Sequence, residues 1–224
     1  MSFIRPGIPA VNIFTTNFLV TESPLSQSGT FTHGYQQVGT DALGPDVTGG
    51  TPGKCYSHAA DANDYVATIQ NRFTSNKHFS EVTINWASGY TAPSSQEIEV
   101  HVGTTIGPSS AVGYEFDLYF GGTVLQPIRW ENPPGGFNTV WPTLVSGAWP
   151  GAVADGDVLR VEFDSTSGNP VFTIKLNGVT QIIYTDTSAG KILTGNPGFA
   201  FFVRTGAGVD VSKFCIKGYT AGSL

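Results

Sequence analysis

Hydrophobic positions along this chain recur with period two. Val82, Ile84 and Trp86 share one side of the run 81–87, and Ile98, Val100 and Val102 one side of 97–102. Tyr114, Phe116, Leu118 and Phe120 alternate through 113–120, Leu159, Val161 and Phe163 through 158–164, and Phe172, Ile174 and Leu176 through 171–177. Further apolar runs occupy 65–73, 179–185, Phe199–Val203 and 211–219. No stretch shows the 3.6-residue period of an amphipathic helix.

Turn residues separate these runs. Asn177-Gly178 lies between 171–176 and 179–185, the pattern of a type I′ hairpin. Asp155-Gly156-Asp157 and Asn196-Pro197-Gly198 each introduce a strand, and Asn132-Pro133-Pro134-Gly135-Gly136 cannot be strand interior. Residues 36–54, rich in Gly, Thr, Asp and Pro, read as a long surface loop. Twelve to fourteen strands joined by turns predict an all-β fold, a two-sheet antiparallel jelly-roll sandwich. No linker or charge run divides residues 1–224, so one domain is expected.

Composition sharpens this picture. Charged residues are only 12% of the 224, while 28 are Gly and 14 are Pro. That balance fits short strands and many turns. The net charge of −6 and the lack of a Lys/Arg cluster argue against nucleic acid as a partner. No apolar run reaches the roughly 20 residues of a membrane helix, so membrane insertion is not expected. The opening Met1-Ser2-Phe3-Ile4-Arg5-Pro6 lacks the pattern of a signal peptide. Two locations are consistent with that: extracellular after processing, or virion-associated. Cys55 and Cys215 are either two buried thiols or one bridge, which spacing does not decide.

The segment from Gly156 to Phe201 carries a recognisable series. Asp157–Phe163 follows a Gly-Asp turn; then come Phe172–Leu176 with Asn177-Gly178-Val179, Ile182–Asp186 and Gly195-Asn196-Pro197-Gly198-Phe199. The series resembles the concanavalin A-like lectin/glucanase superfamily, and Gly113-Tyr114-Glu115-Phe116 resembles an earlier strand of such domains. Asn17-Phe18 and the closing strand Phe214–Tyr219 also fit. The resemblance implies a concanavalin A-like sandwich. It also implies a structural calcium ion as the one cofactor to consider, with Asp41, Asp46, Asp61 and Asp64 as oxygen donors, although no Asp-x-Asp-x-Asp-Gly loop exists.

Candidate chemistry centres on Glu97-Ile98-Glu99-Val100-His101. On a strand, Glu97, Glu99 and His101 share a face, with alternate Cα atoms roughly 7 Å apart. The segment resembles the Glu-Ile-Asp-Ile-Glu catalytic strand of the laminarinase-like glucanases. By that resemblance Glu97 matches the nucleophile, Glu99 the assisting carboxylate, and His101 stands where the general acid belongs. A histidine in place of a carboxylic acid departs from the family pattern.

If neighbouring strands pair consecutively, Glu115, Asp117, Tyr119, Arg129 and Glu131 join that face. Trp130, Trp141 and Trp149 lie in a loop-rich stretch beside them, offering the aromatic surfaces that sugar rings stack on. Trp86 alternates with Val82 and Ile84 and reads as core. There is no Gly-x-Ser-x-Gly elbow and no His-Glu-x-x-His, and Gly49–Lys54 resembles a P-loop only in its glycines. The leading expectation is a carbohydrate-binding, lectin-like domain that takes a polysaccharide or glycan on its concave sheet. A glycoside hydrolase or polysaccharide lyase is the second class. A structural or attachment protein of a virion or phage, acting as an oligomer, is the third.

Overall fold

In the computed structural model, residues 12–25, 30–33, 45–60, 64–69, 73, 75–91, 96–107, 110–119, 124–131, 138–140, 153–203 and 208–224 are described. They contain fifteen strands and no helix. In chain order these are β1 (Ile13–Thr16), β2 (Thr32–His33), β3 (Asp46–Thr48), β4 (Lys54–Tyr56), β5 (Asp64–Thr68) and β6 (Lys77–Trp86). Then follow β7 (Gln96–Gly107), β8 (Ser110–Tyr119), β9 (Val124–Glu131), β10 (Asn138–Val140) and β11 (Val158–Asp164). β12 (Val171–Leu176), β13 (Val179–Thr185), β14 (Asn196–Val203) and β15 (Phe214–Ser223) complete the set.

They form two antiparallel sheets. The eight-stranded sheet runs β13-β12-β11-β6-β15-β4-β3, with β1 also paired to β15. The seven-stranded sheet runs β10-β9-β8-β7-β14-β5-β2. This is the jelly-roll sandwich that the alternating pattern predicts. The period-two residues supply its core. Val82 and Ile84 of β6, Leu159, Val161 and Phe163 of β11, and Phe172 and Ile174 of β12 meet Ile98, Val100 and Val102 of β7, Phe116 and Leu118 of β8, and Phe199 and Phe201 of β14. All are nearly or wholly buried. Trp86 sits half-buried at the edge of this core, edge-on to Phe214 at 4.9 Å. Burying such side chains is the main favourable contribution to folding, about 1.5–3 kcal/mol for each large aliphatic or aromatic group.

The β12–β13 hairpin turns as expected. Asn177 and Gly178 have φ of 50° and 79°, both left-handed as a type I′ turn requires. Asn177 Oδ1 accepts from the Val158 backbone N–H, and its amide donates to Asp157, tying the turn to β11. The stretch 36–54, expected as a loop, instead contains β3 and the start of β4, which pair through Asp46↔Tyr56, Val47↔Cys55 and Thr48↔Lys54. Three-residue strands among glycines carry too little periodicity to be read. Their order comes from β15 and from the Glu22↔Val47 bridge. Cys55 and Cys215 are both buried free thiols.

A bulge in β7 sets up the site. Its pairing shifts register between Val102 and Thr105 against β8, and β14 shifts opposite it between Asn196 and Gly198. Gly103, with φ of 62°, occupies the bulge. Gly195 packs so closely there that a Cβ would lie 2.1 Å from the Gly103 carbonyl carbon.

Candidate functional site on the seven-stranded sheet

Strand alternation places Ile98, Val100 and Val102 toward the core and Glu97, Glu99 and His101 on the opposite face of β7. The partner strand β8 does the same with Tyr114, Phe116 and Leu118 against Glu115 and Asp117. Cross-strand pairing sets His101 opposite Glu115 and Glu99 opposite Asp117. On the other side, β14 offers Gly198, Ala200 and Phe202 beside His101, Glu99 and Glu97. Val66, Ile106, Ile128, Trp130 and Ala200 form a small apolar cluster around the polar residues. The His101 ring meets Trp130 edge-on, with centroids 4.9 Å apart.

These five polar residues are not an open, solvated strand face. Glu97 is 8% exposed, Glu115 4%, His101 1%, and Glu99 and Asp117 0%. Burial governs their chemistry. His101 Nε2 lies 3.0 Å from Glu99 Oε2 and 3.9 Å from Glu115 Oε2. Desolvation still pulls its pKa down to about 3, so the imidazole is neutral at ordinary pH. The Glu115 carboxyl is pushed up by burial, against the opposing effect of hydrogen bonds with Asp117 and Trp130. Asp117 is held well above the usual carboxylate range by burial, and then by the charges of Glu115, Glu99 and Glu97. Neighbouring carboxyls in so dry a place retain a proton that separate ones would release. Two overlapping triads bring metal-capable atoms within 4.8 Å of one another: Glu99, His101 and Glu115, and Glu97, Glu99 and Asp117.

The structure therefore unites Glu97, Glu99, His101, Glu115, Asp117 and Trp130. It does not add Arg129. β9 pairs with β8 through Gly113↔Trp130, Tyr114↔Arg129 and Glu115↔Ile128, so its even-numbered residues share the acidic face. Arg129 lies on the other side with Tyr114, and this corrects the expectation that it joins the polar face. Its Nη1 donates to Asp186 Oδ2 at 2.9 Å and to Ser188 Oγ. Tyr114 donates to the same Asp186 oxygen at 2.7 Å and accepts from the Ile192 backbone N–H. Burial raises Asp186, but the bonds from Ser188, Tyr114 and Arg129 outweigh it and hold the carboxyl below its usual range.

Trp130, expected as an aromatic surface for a sugar ring in a loop-rich stretch, is a buried residue of β9, 3% exposed. Tyr119 and Glu131 are described by backbone alone, paired with Val124 and Asn138. Trp141 and Trp149 lie outside the described residues. Of the calcium candidates, Asp46 pairs with His58 at 2.9 Å, Asp64 is described by backbone alone, and Asp41 and Asp61 lie outside the described residues. The sequence reading missed Val66, Ile106, Ile128 and Ala200 as walls of the site. Only a correct strand register would have revealed them.

No family model matches the chain, and no curated protein sequence matches it. Solved structures do. The endo-1,3-β-glucanase of Streptomyces sioyaensis superposes with a TM-score of 0.57 at 14% identity, over 99% of this chain and 99% of that one. The Emp46p carbohydrate recognition domain in its potassium-bound form gives 0.53 at 11% identity, over 92% of this chain and 94% of that one. Identities this low speak for the fold, which is concanavalin A-like.

Proposed function

We propose that this chain, a concanavalin A-like sandwich, is a carbohydrate-binding domain that takes a polysaccharide or glycan on the polar face of its seven-stranded sheet. The supporting observation is the cluster of Glu97, Glu99, His101, Glu115 and Asp117 with Trp130 at its side. Sugar hydroxyls need fixed acceptors, and sugar C–H faces need an apolar wall. Glu97 and Glu115 are the least buried of the five, so a ligand hydroxyl meets the cluster there first. The superposed structures include a carbohydrate recognition domain, which agrees with this reading.

The second reading is hydrolysis. It is favoured by carboxylate oxygens of Glu97, Glu99 and Asp117 lying within 4.8 Å of one another. That is close to the roughly 5–5.5 Å between the carboxyls of a retaining glycosidase. In this reading the neutral His101 is no proton donor in mildly acidic solution, and Glu115, whose carboxyl burial pushes up, takes that role.

Affinity gel electrophoresis in β-glucans, xylan, mannan, alginate and pectin tests both, with reducing ends assayed in the same samples. Retardation without new reducing ends, weakened by Glu97→Gln and Glu115→Gln, is the expected result. New reducing ends lost in Glu97→Gln would establish the hydrolase instead. Neither retardation nor cleavage overturns both and leaves a structural or attachment role.

A further inference from the structure

We propose that the outer face of the eight-stranded sheet carries a second saccharide site, a cleft over β6, β11 and β12 that takes part of an uncharged glycan. The cleft has a volume of about 450 Å³, and Lys77, Glu162, Asp164, Thr166, Val171 and Thr173 are among its walls. Small-molecule sites have volumes of roughly 300–1,000 Å³. Strand alternation builds it. Leu159, Val161 and Phe163 of β11 point into the core, so Arg160, Glu162 and Asp164 point outward. Register brings the other walls beside them: Asp164 is paired with Lys77 and Val171, and Glu162 with Phe79 and Thr173. The turn after β11 closes one end, where Thr166 donates its backbone N–H and its hydroxyl to Asp164 Oδ1 at 3.0 and 2.6 Å.

Charge cancels on this face. Lys77 pairs with Asp164 at 3.0 Å, Lys175 and Arg160 with Glu162 at 2.7 and 2.9 Å, and Arg160 with Glu81 at 3.7 Å. Three cations thus meet three carboxylates, and no net charge is left to draw in an ion. A partner rich in hydroxyls finds unused capacity instead. Both bonds to Glu162 end on Oε1, which leaves Oε2 to accept from a ligand. The Lys77 ammonium has three donors and one carboxylate partner. No described residue hydrogen-bonds the Thr173 hydroxyl. Acceptor, donor and hydroxyl therefore stand together on paired strands, the mixture that the hydroxyls of one sugar ring require. Val171 lines the cleft, and Ile183, paired with Thr173 and 67% exposed, stands beside it. Both offer apolar surface to the C–H side of a ring.

The second site adds to the carbohydrate reading and shares no residue with the acidic face of β7 and β8. With one site on each sheet, a single chain holds two glycan strands at once. That strengthens attachment to a polysaccharide network without any new contact at either site.

The test is a titration of the isotope-labelled full chain with laminarihexaose, xylohexaose and mannohexaose, read by the shifts of assigned backbone amides. Oligogalacturonate and a glucosamine oligomer are titrated in parallel. The expected result is a saturable shift of amides in 164–167 and 171–175 with at least one uncharged hexasaccharide. Thr173→Val and Glu162→Gln are each expected to weaken that response about fivefold, the worth of one hydrogen bond. Shifts confined to β7 and β8 overturn the proposal and leave the carbohydrate reading standing. Shifts at neither place overturn it as well, and the polysaccharide gels then decide the first site separately. A response at 164–175 that survives both substitutions, or one that the charged oligomers match, overturns the assignment to an uncharged sugar.

Discussion

The backbone N–H of Gly103 donates to His78 Nε2 at 3.0 Å, a bond that crosses from one sheet to the other. His78 belongs to β6 and Gly103 to the bulge of β7. The other ring nitrogen, Nδ1, lies 3.2 Å from the Ser75 carbonyl and donates to it. The ring is fully buried against Phe163, with centroids 4.9 Å apart. One neutral tautomer satisfies both bonds. Ser80 makes a parallel tie, its hydroxyl donating to the Gly198 carbonyl at 2.6 Å.

His78 makes stability depend on acid. Burial lowers its pKa to about 3, with the Ser75 bond opposing. The unfolded imidazole takes a proton below about 6.5. Stability is therefore full above that pH and falls as pH drops toward 3. A shift of this size is worth on the order of 4 kcal/mol at the acid end. His101 contributes with the same sign, and the raised Glu115 and Asp117 with the opposite one. Urea unfolding of wild type and His78→Gln at pH 7 and pH 4 isolates the His78 share. The variant is expected to lose less stability between the two pH values than the wild type.

Arg129 is expected to matter for stability and not for ligand. Arg129→Met leaves Asp186 buried without its cation, a change that costs about 3–5 kcal/mol. Denaturant melts should show that loss. At temperatures where the variant is folded, its retardation in polysaccharide gels should equal that of the wild type.

Replacing Asp117 by its neutral amide is expected to leave the protein at least as stable as before. Asp117 is wholly buried beside three other carboxyls. At pH 7, Asp117→Asn should match or exceed the wild type, by about 1–2 kcal/mol. A large loss of stability would show that the hydrogen bond between Glu115 and Asp117 needs the carboxyl group and outweighs the crowding of acidic groups.

The two cysteines are expected to be inert. Burial pushes the Cys55 thiol well above its usual range, helped by Cys215 and Asp46, and burial pushes Cys215 up to about 12. Thiolate is the reactive form. A thiol reagent at pH 8 should label neither in the native protein and both after denaturation.

Much of this architecture was legible in the residues. Asn177-Gly178 announced its hairpin, and the alternation of Leu159, Val161 and Phe163 gave both the bounds and the buried side of β11. Glu97, Glu99 and His101 fell on one face because a strand leaves no other choice. The errors came where pairing decides. Arg129 and Trp130 are adjacent, and a register offset of one residue exchanges which of them faces the carboxylates. Nothing local in β9 fixes that offset. The burial of the acidic cluster was equally hidden, since alternating charged residues ordinarily signal a wetted surface.

β15 pairs with β6 on one side and with β4 and β1 on the other, so residues 214–223 form the middle of their sheet. β6 lies well over a hundred residues earlier in the chain. Until β15 docks, β6 and β4 are separated strands with open edges. Pairing across such a separation must close a long loop before any contact is rewarded, which slows the search. The sandwich should thus be a slow folder with a half-built sheet as its dangerous interval, and crowding at that moment favours clumping between chains over completion within one.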